Sequence, residues 1–293
     1  MPLFSRPDGD LVRDLSPVRH IIPYLMKGRN ESVVYYEQIL DLTRTLPFVR
    51  TWNETHDEKL TVFHLVLAAC GKALHARPGL NRFVSGGRIY QRRGAFVSFA
   101  AKARFDDDAP LKTVKLPVMA AEPLQETVRR IHASVGGARG ADERAVDKEV
   151  RLVVKLPGFV LRAAVWLLRF LDRHNVLPGF ATRDDPMYAS LFLANLGSVG
   201  IDRAWHHLYE YGTVSLFGVL GEIKKMLVPD EHGAPVARDA VRVRFAFDER
   251  INDGFYCAAA LDLVRAYVED PELFARQPEP PAARPKKLLT SAF

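Results

Sequence analysis

The chain has 293 residues, a net charge of +6, 48% hydrophobic and 26% charged residues, an ordinary globular composition with enough length to bury a substantial core. The mild basicity favours acidic ligands such as a coenzyme A phosphate or an anionic lipid, but there is no helix-turn-helix, zinc-finger or RNA-binding pattern, so no nucleic-acid partner is expected. Cys70 and Cys257, the two cysteines, sit in apolar helical patterns and read as buried free thiols of a reducing, cytoplasmic compartment, and no metal-ligand spacing appears.

Residues 1–14 are charged, lack the apolar segment of a signal peptide, and read as a loose N-terminal arm. A helix starts at Ser16-Pro17, where serine caps and proline suits the first turn, and runs amphipathically over Val18–Lys27. Ser32–Leu40 reads as a strand leading to a helix entry near Asp41-Leu42-Thr43. Thr61 then caps a long apolar helix to His75 that stops before Pro78-Gly79. Arg88–Gln91 and Ala95–Phe105 are strand candidates, followed by a turn at Asp106-Asp107-Asp108 and a strand at Lys112–Pro117. Pro123–Ser134 is an amphipathic helix that Gly136-Gly137 should break.

Residues 148–187 carry an apolar helix opened by Pro157, with Arg162, Arg169 and Arg173 on one face. Its apolar run Ala163–Leu168 is far short of the ~20 residues of a membrane span. Strands at Tyr188–Ala194 and Thr213–Leu220 flank a glycine-rich turn, and the strand Val241–Phe247 precedes a last helix. Residues 275–293 read as a flexible, basic, proline-rich tail. Strands mixed with helices, without regular βαβ alternation, indicate an α+β domain over residues 15–274.

The segment Asp248-Glu249-Arg250-Ile251-Asn252-Asp253-Gly254 has the layout Asp-x-Arg-x-x-Asp-Gly. It resembles the active-site signature of the acyltransferase core of 2-oxoacid dehydrogenase complexes, within the chloramphenicol acetyltransferase-like superfamily. Four further stretches resemble that family in the same order. They are Leu15-Ser16-x-x-Arg19, Pro78-Gly79-Leu80-Asn81, Asn195-Leu196-Gly197-x-x-Gly200 with Gly218-Val219-Leu220-Gly221 after it, and Glu269-Asp270-Pro271 with Leu273. The resemblance implies a two-layer chloramphenicol acetyltransferase-like fold, a mixed β-sheet with helices on one face. It also implies coenzyme A or acyl-coenzyme A as substrate, a homotrimer that extends to a larger cage, and an active site between subunits.

The departures concern chemistry. The family's general base is a histidine, and Glu249 stands in its place; the family's oxyanion-stabilising Ser or Thr is Ala194 here. A neutral imidazole, with pKa about 6.5, suits proton removal at neutral pH, whereas a carboxylate near about 4.3 is a poor base for a thiol. Asp253 is expected to pair with Arg19 and hold the site rigid. His206 or His207 is placed to supply the missing imidazole, or the two form a surface or interface pair. Ser98 and Lys112 on their strands read as contacts for a pantetheine arm or as ordinary sheet-face residues. No lipoyl-type Asp-Lys-Ala segment is present, so no covalent lipoyl group is expected on this chain.

Three readings follow: an altered acyltransferase, a non-catalytic trimeric scaffold, or a peripheral membrane or lipid-modifying protein that uses the 157–173 helix. For that helix the polar stripe is narrow, which favours burial against protein over an interfacial role.

Overall fold

The computed structural model describes residues 6–102, 111–140, 156–230 and 232–276. The turn at 106–108, residues 148–155 of the insertion, and the tail from 277 on lie outside the described residues. Local chemistry starts the main helices. The Ser16 hydroxyl accepts from the Arg19 amide ahead of α1 (Pro17–Leu25), Thr61 caps α3 (Val62–Ala76), and Asp253 caps α7 (Gly254–Glu269). Between and after them lie α2 (Thr45–Thr55), α4 (Leu124–Gly140), α5 (Gly158–Arg173), α6 (Gly179–Arg183) and α8 (Leu273–Arg276).

Among the described residues nine strands form two sheets. β2 (Val33–Asp41), β5 (Ala95–Lys102), β6 (Leu111–Val118), β7 (Leu191–Asn195), β8 (Leu216–Pro229) and β9 (Pro235–Asp248) make the large one, ordered β2-β9-β8-β7-β5-β6. β7 pairs in parallel with β5 and β8; the other pairings are antiparallel, so the sheet is mixed. β1 (Gly9–Leu11), β4 (Arg88–Arg92) and β3 (Arg82–Ser85) form a small antiparallel sheet.

Alternation sorts the two faces of the large sheet. Val241, Val243, Phe245 and Phe247 of β9 join Leu191, Leu193, Leu216 and Leu220 under α3 and α7, where the main core lies. Cys70 and Cys257 are buried there, and burial pushes both thiols up to about 12, so they behave as apolar groups. Phe192, Phe217, Val219 and Ala246 point the other way. The 196–215 segment covers them with Leu208 and Val214 rather than with a helix. The helices α3 and α7 thus sit on one face, as the α+β expectation requires.

Four expectations are corrected. The supposed arm is packed from Arg6 onward: Arg6 is buried and β1 pairs with β4. β3 is an additional short strand. α4 continues through Gly136 and Gly137 to Gly140. Finally, α5 is not buried within this chain: none of its residues is, and Phe159, Val165, Trp166, Leu167, Leu168 and Phe170 are exposed. Its apolar residues specify a helix that seeks a partner, and the described residues do not supply one. No helix among the described residues is long and apolar enough to cross a membrane.

Candidate functional site: a pinned carboxylate at the end of β9

The signature segment is built from its main chain outward. Asp248 ends β9 at 0% exposure, and its carboxylate accepts from Arg250 Nε at 2.8 Å and Nη2 at 2.7 Å. Arg250, 3% exposed, also donates to the Met26 carbonyl at 2.9 Å, which ties the segment to the end of α1. A bidentate pair of this kind fixes direction as well as distance. Glu249 lies between these two residues. Its amide donates to the Ser32 carbonyl at 3.0 Å, and its carbonyl accepts from Arg19 Nη1 at 2.7 Å. The backbone of Glu249 is therefore held from both sides, and its side chain is half-buried.

Arg19 and Asp253 do meet, though loosely. The ion pair is 3.9 Å long and Asp253 is 60% exposed, so it contributes little by itself. The stronger work of Asp253 is as helix cap, accepting from the Tyr256 amide at 2.7 Å. The Tyr256 hydroxyl in turn accepts from the Gly79 amide at 3.0 Å, with Arg77 over the ring at 4.0 Å. Two of the family-like motifs are thus in direct contact. Two more meet at the glycine-rich turn, where the Leu196 amide donates to the Leu220 carbonyl at 3.0 Å. A Cβ on Gly197 would lie 2.0 Å from the Gly221 carbonyl oxygen, so only glycine fits there.

The remaining candidates lie elsewhere. Ala194 pairs with Val219 in the sheet and packs beside the apolar Phe192 cluster, offering no side-chain donor. His206 stacks on Phe217 with ring centres 3.8 Å apart, and its Nδ1 bonds the His207 carbonyl at 2.7 Å. Burial holds its pKa below the usual value, against the opposing hydrogen bond to that carbonyl. His207 is exposed and bonds the Leu208 carbonyl through Nδ1 at 2.9 Å. Carbonyls only accept, so Nδ1 carries the proton in both rings and Nε2 is the basic nitrogen. Among the described residues no hydrogen bond, ion pair or ring contact joins either histidine to Glu249, Asp253 or Arg19. Ser98 is fully buried and its hydroxyl donates to the Pro186 carbonyl at 2.8 Å. Lys112 pairs by its main chain with Ala101, and its side chain lies outside the described residues. Among the described residues no group of His, Cys, Asp and Glu is placed to hold a metal.

Two clefts flank α1. One, of about 390 Å³, is lined by Arg13, Arg19, His20 and Arg88. The other, of about 660 Å³, lies between α1, the β3–β4 turn, α5 and residues 210–212. Pro23, Tyr24 and Gly87 line both, and Glu249 is in the lining of neither. Sequence reasoning missed the buried arginines beside the larger cleft. Arg29 donates to the Tyr209 and Glu210 carbonyls, and Arg92 to the Tyr188 and Thr213 carbonyls. Desolvation lowers both guanidinium pKa values, that of Arg92 to about 10. Nothing in the sequence marks them, because an arginine ordinarily reads as surface.

No family model matches this sequence, and no curated protein sequence matches it. Solved structures do. A probable dihydrolipoamide acetyltransferase from Listeria monocytogenes 4b F2365 is 18% identical, with a TM-score of 0.57 over 89% of this chain and 95% of that one. A dihydrolipoamide acetyltransferase from Azotobacter vinelandii is 15% identical, with a TM-score of 0.58 over 91% and 95%. The cubic core of a pyruvate dehydrogenase multienzyme complex is 13% identical, with a TM-score of 0.57 over 91% and 95%. The chain has the fold of the acyltransferase cores of 2-oxoacid dehydrogenase complexes. At 13–18% identity to these three it is a divergent version of that fold.

Proposed function

We propose that the protein is a coenzyme A-dependent acyltransferase-like protein with an altered active site, working as a cytoplasmic homotrimer in which Glu249 takes the position of the catalytic histidine. The observation that supports this is the pinned backbone of Glu249, held by Arg19 and Ser32 between the buried ends of the Asp248–Arg250 pair. In the Azotobacter vinelandii enzyme a serine, a histidine and an asparagine were investigated for their role in the catalytic mechanism, the last two being four positions apart. Glu249 and Asp253 have the same spacing. A neighbouring subunit would complete the pocket, and His207 would add an imidazole from the exposed 196–215 segment. A cubic core among the similar structures supports a trimer that extends to a larger cage.

The test is acyl transfer from acetyl-coenzyme A to a small thiol. Glu249→Gln should lower kcat at least tenfold and His207→Ala should lower it less. Equal background rates for the parent and both variants overturn the reading.

A second reading, a trimeric scaffold that has lost catalysis, is favoured by Ala194, whose methyl group leaves the oxyanion position without a donor. Under it, the double substitution Glu249→His with Ala194→Ser creates activity that the parent lacks. Micromolar binding of coenzyme A by the parent argues against it.

A further inference from the structure

The cleft beneath α5 combines dense positive charge with aromatic walls. Lys27, Arg29, Arg162, Arg169, Arg173 and Arg250 line it, against only Asp172 and Glu210. Neither carboxylate is free: Asp172 bonds Arg6 at 2.7 Å, and Glu210 accepts from the Asn30 amide at 3.0 Å. Arg250 is neutralised by Asp248. Among the described residues the other five cations make no ion pair. Arg29 carries the second observation. It is 6% exposed, its bonds go only to main-chain carbonyls, and its buried Nε has no partner at all. Arg29 hydrogen-bonds only neutral carbonyls and meets the carboxylates of Asp248, Glu210 and Asp172 only at a distance, an arrangement that a bound anion completes.

The walls define the rest of the ligand. Trp166, 64% exposed, stacks on Phe170 at 5.3 Å, and both line the cleft together with Val165 and Tyr24. Arg162 and Arg169 line the same cleft, one turn before and one turn after Trp166. Guanidinium groups match phosphate in a bidentate fork, and the aromatic strip offers contact to an apolar chain. A volume of about 660 Å³ suits a single small molecule. We propose that this cleft binds an anionic amphiphile, a phosphate head held by Arg29, Arg162 and Arg169 with an apolar chain laid along Trp166 and Phe170. The site meets the Glu249 frame only at Arg250 and stands whether or not the protein transfers acyl groups.

Calorimetric titration of the full chain with monomeric dodecyl phosphate tests it. Saturable binding with one ligand per chain is expected. Arg162→Ala with Arg169→Ala should weaken binding at least tenfold, and both residues are exposed, so the variant folds. Arg129→Ala, an exposed arginine of α4 bonded to Glu126, should change nothing. Inorganic phosphate alone and dodecanol alone should each bind at least tenfold more weakly. Co-flotation with phosphatidylcholine vesicles containing phosphatidic acid, abolished in the double variant, assigns the same head group to a bilayer. Binding of dodecyl phosphate without flotation assigns a soluble ligand. Equal affinity of the parent and the double variant overturns the proposal, as does dodecanol binding as well as dodecyl phosphate. Displacement of dodecyl phosphate by coenzyme A at comparable affinity overturns it as a separate site.

Discussion

The Glu249 frame and the 660 Å³ cleft, which share Arg250, are held in opposite ways. In the frame the main chain and the buried ion pair have close partners: Asp248 grips Arg250, Arg250 reaches Met26, and Ser32 and Arg19 hold the intervening backbone. At the cleft α5 exposes its apolar side, and among the described residues Arg162, Arg169 and Arg173 make no ion pair. α5 is fixed mainly at its C-terminus, where Arg6 donates to the Asp172 carbonyl at 2.9 Å and bonds the Asp172 carboxylate. The β3–β4 turn presses on that same point, since a Cβ on Gly86 would lie 2.4 Å from the Arg173 carbonyl oxygen. The frame that looks like the family's is internally satisfied, and the part that departs from the family presents unfilled surface. New recognition is carried by the second region.

The largest expected effect tests the frame. Asp248→Ala strands the buried Arg250 guanidinium and should cost about 3–5 kcal/mol, read as a lowered urea midpoint; an unchanged midpoint would show that the frame is not held as described. Arg6→Ala tests the cleft. It removes bonds to Asp8, Asp172, Ser85 and Asn175 and should destabilise by about 3 kcal/mol, with trypsin cleavage appearing first within α5. Asp253→Ala is the smallest. Loss of its cap on α7 should cost about 1 kcal/mol. Asp253→Asn keeps a capping oxygen and should recover most of that loss, because the 3.9 Å contact with Arg19 is long and exposed. If asparagine is as harmful as alanine, the ion pair matters more than the cap.

The fold was legible because short motifs with strict steric demands lie in a recognisable order. Gly197 against the Gly221 carbonyl and Gly79 against Asn252 are contacts between those motifs, so the sequence records them as glycines. Ser16 and Thr61 announced their helices through side chains that cap. The two long strands were read short. Beyond Gly221, β8 runs through Glu222, Lys224 and Lys225, whose charges hide its alternation, and β9 begins at Pro235 with Arg238 and Asp239 inside it. Gly136 and Gly137 did not stop α4, because a glycine weakens a helix without ending it. The surroundings of α5 were illegible for a different reason. A count of apolar residues shows that a helix is amphipathic, not what covers it, and the buried Arg6, Arg29 and Arg92 depend on carbonyls brought from distant parts of the chain.

The Arg6–Asp172 contact also bears on the order of assembly. Its two residues are 166 positions apart, so closing it requires a long loop, whereas the β8–β9 hairpin closes across a few residues. Loop-closure entropy delays distant pairings until the local ones are made. During refolding the hairpin should therefore gain amide protection early, and the seat of α5 should mature after it.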